Sequence, residues 1–350
     1  MKQLLYILLI CFLGHWSLAQ DIHFSHIHAS PLSLNPAMTG MFDGNLRLIS
    51  KFRGQWRTIT ADYRTFAASV DMKLSSISRN TIIGLGAEFY SDIAGDLDFT
   101  TQSNLFSISF MKSFDEDGTH MLSGGYQMGF TNRRFDPSLM ETHEQETFAG
   151  LMDGTRTSYF DMAAGVLWYK QINRWQFYYL GASLYHLNNP NVTFWDEANS
   201  ETNQLMRRYV FHGGANFFLN DWFTVMPNFV FMQQGPHQQL TFGSFFRYRN
   251  STKENKTHIA LSLGGWLRAF TLEKGVSADA FIFAIRADYA NTTFTFTYDV
   301  NISTLVDVSY GRGGPEFSLI YLIGSSVGNQ KYNPKKRKKK KKCKMNCPAF

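Results

Sequence analysis

The sequence predicts an all-β fold, a transmembrane antiparallel β-barrel of about fourteen strands. Three observations lead there. From about residue 45 to residue 323, short stretches place an apolar side chain at every second position, as in Phe66, Ala68, Val70 and Met72 against Thr65, Ala67, Ser69 and Asp71. The stretches run to roughly nine to eleven residues, the length a tilted strand needs to cross a bilayer, where globular strands run to about five or six. A secretion signal precedes them. A soluble sandwich also alternates, so the rhythm alone does not name a membrane; strand length and export do.

Residues 1–19 have the form of a signal peptide: Lys2, then an apolar run from Leu4 to Leu13, then Ser17-Leu18-Ala19 as a cleavage site. The run is too short to span a bilayer, which takes about 20 residues. A lipoprotein reading at Cys11 would cut that run in half and place bulky Ile10 before the cysteine. Residues 20–44 lack sustained alternation and carry turn formers at Pro31, Asn35-Pro36 and Asp43-Gly44, which predicts an ordered segment ahead of the first strand.

The barrel proper, 45–323, is expected to contain strands at 45–53, 65–73, 81–90, 101–112, 120–132, 159–170, 176–186, 209–218, 223–233, 240–249, 257–268, 280–289, 292–300 and 316–323. Aromatic residues make up 16% of the chain while its mean hydropathy is mildly negative. That combination suits a wall with lipid on one face and water or a plug on the other. Phe106, Ile108 and Phe110 form one clean apolar face, and Ile259, Leu261 and Leu263 another, with Ser, Thr, Gln and Gly as alternates. Strand 176–186 is aromatic on both faces and Pro227 interrupts 223–233, features expected of girdle positions or of strands packed on a plug. Short turns at 113–119, 220–221 and 290–291 follow even-numbered strands, whereas the long connections, 133–158 and 187–208, follow odd-numbered ones. Short turns and long loops therefore belong to opposite rims, and the expectation is one barrel with the N-terminal segment and the C-terminal tail on the periplasmic side.

Residues 324–350 form a polybasic tail. Lys335, Lys336, Arg337, Lys338, Lys339, Lys340, Lys341, Lys342 and Lys344 account for the net charge of +6; without them the body is acidic, so nucleic-acid binding is not expected. A run of like charges stays solvated and suits a partner-binding tether for an acidic surface, or a merely solubilising end. Cys343 and Cys347 are the only cysteines of the mature chain, able to close a small disulfide loop, pair with another chain or remain free.

Chemistry is sparse. The chain has no Gly-x-Ser-x-Gly, no His-Glu-x-x-His, no phosphate-binding loop and no dinucleotide fingerprint. His23, His26 and His28 have metal-like spacing but only Asp21 as a nearby carboxylate, and His186 and His212 have no nucleophile placed beside them by sequence. No catalytic residue, cofactor or metal is expected.

The string Asp21-Ile22-His23-Phe24-Ser25, followed by Ala29-Ser30-Pro31-Leu32-Ser33-Leu34-Asn35-Pro36-Ala37-Met38-Thr39-Gly40, resembles the PorP/SprF family of Bacteroidetes type IX secretion. So do Phe52-Arg53-Gly54-Gln55-Trp56-Arg57, the stretch from Tyr63 to Asp71, Tyr298-Asp299-Val300-Asn301, Gly311 to Leu319, and the ending Cys347-Pro348-Ala349-Phe350. His26 stands where the family commonly has Gln, and the lysine run is longer than expected. The resemblance marks Pro31, Asn35, Pro36, Gly40, Arg53, Gln55 and Trp56 as the motif. It implies an outer-membrane barrel that supports protein export and, in some members, gliding adhesins. The implied partners are periplasmic type IX secretion components, including a peptidoglycan-binding protein, a secreted surface adhesin, and outer-membrane lipid. The expected role is a non-enzymatic accessory barrel, with the segment around Asn35-Pro36 folding inward or underneath. The alternative is a passive outer-membrane channel for small solutes.

Overall fold

The computed structural model describes residues 24–25, 29–55, 63–78, 80–115, 118–139, 155–173, 176–194, 204–250, 259–272, 275–303 and 313–324. Fourteen strands follow one another around a single closed antiparallel barrel. They are β1 (Leu46–Gln55), β2 (Tyr63–Ser78), β3 (Thr81–Ala94), β4 (Phe99–Ser113), β5 (His120–Arg134), β6 (Arg156–Gln171) and β7 (Phe177–Tyr185). The second half comprises β8 (Arg208–Phe218), β9 (Phe223–Gln234), β10 (His237–Asn250), β11 (Ile259–Leu272), β12 (Gly275–Tyr289), β13 (Thr292–Asn301) and β14 (Pro315–Ile323). The seam joins β1 to β14 in register from Leu46↔Ile323 to Arg53↔Glu316, which leaves no free sheet edge.

Each alternating stretch in the sequence became a strand, and several strands outrun it. β6 gains Arg156, Thr157 and Ser158 at its start. A ladder can continue past the apolar belt into water, where alternation is no longer required, so apolar period underestimates strand length.

The patterning is inside out. Phe106 and Phe110 on β4 are 63% and 54% exposed, while Ser103 and Ser109 on the other face of the same strand are fully buried. Leu261 and Leu263 on β11, Phe283 and Ile285 on β12, and Phe317, Leu319 and Tyr321 on β14 continue the outward apolar belt. A closed sheet satisfies its own backbone groups, and this one turns hydrocarbon outward, so the wall is built to sit in a bilayer. No helix among the described residues is long and apolar enough to cross a membrane.

Consecutive antiparallel strands put the C-terminal ends of β2, β4, β6, β8, β10 and β12 on one rim and those of the odd-numbered strands, including β5 and β7 ahead of the two long connections, on the opposite rim. β9 carries Pro227, and the β8–β9 ladder skips there: pairing stops after Gly214↔Asn228 and resumes at Phe217↔Val225. The aromatic residues on both faces of β7 have a direct explanation. Leu180 faces out at 52% exposure, while Tyr179 and Tyr185 join an interior cluster with Leu34, Ala37, Met38 and Met41 from the N-terminal segment.

Candidate functional site: the segment inside the lumen

Residues 29–44 lie inside the barrel. A single α-turn, α1 (Pro31–Leu34), starts on a proline, whose missing N–H is no loss at the first helical position. Asn35 then adopts extended dihedrals (φ −161°, ψ 119°), which stops the turn, and a 3₁₀ turn follows over Pro36–Met38. The Asn35 Oδ1 caps that second turn by accepting the Ala37 N–H at 2.9 Å. Gly40 sits at φ +72°, a left-handed conformation that glycine adopts without strain, and lets the chain turn toward β1. Leu32, Leu34, Met38, Met41 and Phe42 are buried to 1% exposure or less. At about 1.5–3 kcal/mol for each such side chain, the segment belongs to the core.

The wall grips this segment largely through its main chain. Ser183 on β7 donates to the Leu34 carbonyl at 2.8 Å, Ser123 on β5 to Ala37 O at 2.7 Å, and Ser109 on β4 to Thr39 O at 2.6 Å. Lys73 on β2 donates to Phe42 O. Glycine in the wall gives the segment room: a methyl group on Gly125 would collide with the Pro36–Ala37 backbone, one on Gly84 with the Thr39 carbonyl, and one on Gly165 with the Asn35 side chain. Asn35 is fully buried. Its amide donates to Val166 O at 3.0 Å and to Ala182 O at 3.3 Å, and it meets the His212 Nε2 at 3.0 Å.

Charge appears where the segment begins and ends. At its end, the Gly40 N–H donates to Asp71 Oδ2 at 2.7 Å, and Arg47 binds both oxygens of Asp71, Nε at 2.9 Å and Nη2 at 2.8 Å. At its start, Ser25 donates through its N–H to Glu316 (2.8 Å) and through its hydroxyl to Asp299 (2.6 Å). Lys51 pairs with Glu316 at 2.9 Å and lies 3.9 Å from the centre of the Phe24 ring; Arg53 and Arg268 both pair with Asp299, at 3.2 and 3.0 Å. Midway, the Ser33 hydroxyl donates to Glu88 at 2.5 Å. Ser25 thus lies toward the rim of the long connections, whereas Gly44 adjoins Ile323 at the rim of the short turns.

The motif residues are partly assembled. Pro31, Asn35, Pro36 and Gly40 form the lumenal segment, and Arg53 is on the wall beside its start. Gln55 closes β1 at the long-connection rim, two residues past Arg53. Trp56, the tail cations Lys335 to Lys344, Cys343, Cys347 and His23, His26 and His28 lie outside the described residues. His212 lines the Asn35 socket, and His186 pairs with Asp161 at 2.9 Å. No cluster suited to a metal ion occurs among the described residues. The sequence reading missed Asp71, Glu88, Ser109, Ser123 and Ser183. Their signal was visible as small polar residues at alternate positions, but nothing local says which of them meet the segment.

The sequence matches the family described as "Type IX secretion system membrane protein PorP/SprF" over residues 17–321. No curated protein matches. Among solved structures, the CymD monoaromatic hydrocarbon channel aligns at 10% identity and a TM-score of 0.44, covering 85% of this chain and 93% of that one. OmpF of Salmonella typhi, in complex with daunomycin, aligns at 10% identity and a TM-score of 0.40, covering 80% and 98%. BamA from Haemophilus ducreyi, lacking POTRA domains 1–3, aligns at 8% identity and 0.43, covering 81% and 70%.

Proposed function

The chain belongs to the PorP/SprF family of type IX secretion system membrane proteins, and from that premise we propose that it is a plugged, non-enzymatic accessory barrel of the outer membrane, not a pore. The observation that carries this reading is the segment 29–44, held inside the wall by hydrogen bonds from β4, β5 and β7 and with its large apolar side chains fully buried. A site that binds a stretch of its own chain so completely suits an anchor better than a conduit. A passive channel for small solutes is the competing reading, and a barrel of this strand number is wide enough for one when unfilled.

In planar bilayers the purified protein is expected to show no steady open conductance, and deletion of residues 29–40 to create one. A steady conductance from the intact protein overturns the plugged reading.

The family supports a reading of the partners. The polybasic stretch, Lys335 to Lys344, serves as a periplasmic tether to an acidic face of the secretion machinery, and the secreted client is a surface adhesin. Removing residues 335–350 should leave the barrel assembled and membrane-inserted while lowering co-purification of secretion components and export of the client. Unchanged export and co-purification would remove the tether from the proposal without touching the plug.

A further inference from the structure

We infer that the lumenal wall formed by β10, β11 and β12 carries an oxyanion site, built from Arg247, Ser262 and Arg286, that takes a phosphate group. The inference starts from register. Arg247 pairs with Ser262, Ser262 with Arg286, Arg286 with Thr295, Thr295 with Ser318 and Ser318 with Lys51, so these six side chains form one transverse row across six adjacent strands. Their outward neighbours Phe246, Leu261, Ile285 and Phe317 are exposed, which points the row inward. Three cations and three hydroxyls make it up, and Ser262 stands between the two arginines.

The charges in this row do not balance. Arg247 and Arg286 share one carboxylate: Arg247 Nη2 meets Asp288 Oδ2 at 2.9 Å, and Arg286 Nε donates to Asp288 Oδ1 at 2.9 Å. Thr293 adds a third donor to the same carboxylate at 2.6 Å. Lys51, further along, is matched by its own partner, Glu316. Arg247 and Arg286 together therefore carry one positive charge more than the carboxylate they share. The Ser262 hydroxyl lies between the two arginines, wholly buried, and has no hydrogen-bond partner among the described residues; neither has Arg247 Nε.

An ionisable group at membrane depth that faces the inside of a barrel marks a site for a ligand or ion by default. The chemistry here selects among ligands. A cation is repelled, and a neutral solute leaves the surplus charge uncompensated. An oxyanion answers both defects, because guanidinium forks match phosphate geometry and a tetrahedral anion has enough oxygens to accept from two arginines and the serine between them. The Arg247 and Asp288 side chains keep 15% and 12% of their surface exposed, so the row is not fully sealed at those two residues.

The test is isothermal titration of inorganic phosphate into the full chain, purified in a phosphate-free detergent at constant chloride. One saturable site per barrel is expected. Arg286→Gln should weaken it about tenfold or more. Ser262→Ala, which changes neither charge nor the ion pairs and should fold normally, should weaken it several-fold, with heat-modifiable gel mobility confirming an intact barrel in both. Short-chain phosphatidic acid titrated in parallel distinguishes the source: binding much tighter than inorganic phosphate, and lost in the same variants, assigns the site to a lipid headgroup, and equal binding assigns it to free phosphate. Absence of saturable phosphate binding by the unmodified chain, or binding that Ser262→Ala and Arg286→Gln leave unchanged, overturns the proposal.

Discussion

The lumenal segment is held by two different chemistries. Its middle, residues 32–39, is met mostly by serine hydroxyls and the bare backbone of glycines, with one carboxylate, Glu88, on Ser33. Its two ends, Ser25 and Gly40, are met by carboxylates that are themselves paired to arginine or lysine. The difference teaches a division of labour. Hydroxyl-to-carbonyl bonds are modest singly and tolerate many sequences, so the middle depends on shape; a buried carboxylate with its cation is intolerant of losing either partner, so the ends set where the segment starts and stops.

The comparison is sharpest at Asp71. Asp71→Ala strands Arg47 inside the barrel and frees Gly40, and is expected to cost about 3–5 kcal/mol in urea unfolding from lipid vesicles. A cost near that of a single serine would erase the distinction between ends and middle. Asn35→Ala comes next, at about 2–3 kcal/mol, because it removes the cap of the 3₁₀ turn and leaves the Val166 and Ala182 carbonyls without its amide. The same variant should raise hydrogen exchange in residues 35–40 more than in the strands.

Shape, as opposed to bonding, is tested by adjacent glycines on β5. Gly125→Val drives side-chain atoms into the Pro36–Ala37 backbone and should destabilise by about 1–3 kcal/mol. Gly124→Val, where an added Cβ meets nothing within 4 Å, should be close to neutral. Equal costs at both positions would mean that the middle of the segment is not seated against β5.

The smallest effect lies outside both regions, in the turn between β4 and β5. Burial raises the Asp115 carboxyl slightly, but hydrogen bonds from Thr119 and Ser113 and from the Thr119 and His120 N–H groups outweigh it and hold its pKa at about 2. A depressed carboxylate stabilises the fold fully above its unfolded pKa of about 4 and loses that contribution as pH falls through the folded value. The difference in stability between the natural chain and Asp115→Asn should therefore be small at neutral pH and shrink between about pH 4 and 2. A difference unchanged across that window would show that the turn is held by something other than the carboxylate.

Much of the wall was legible beforehand for a local reason. Side chains alternate along any strand, so Phe106, Ile108 and Phe110 against Ser107 and Ser109 declare a strand and its two faces without reference to the rest of the chain. Fourteen such stretches, with both long connections after odd-numbered strands, left a closed antiparallel barrel as the consistent arrangement. The motif around Asn35-Pro36 was equally visible as residues, with turn formers at its borders.

Only the closed barrel decided what the interior does. Asn35 finds His212 across 177 positions of sequence, and Ser25 finds Asp299 across 274. Such pairs carry no periodic signal, because closure and register alone bring them together. Which serines bond the segment, which glycines make room for it, and that Arg247, Ser262 and Arg286 share one row were all set by strand register. Sequence determined the wall because alternation is a property of neighbours; the tertiary structure determined the contents because a lumen exists only after the last strand has met the first.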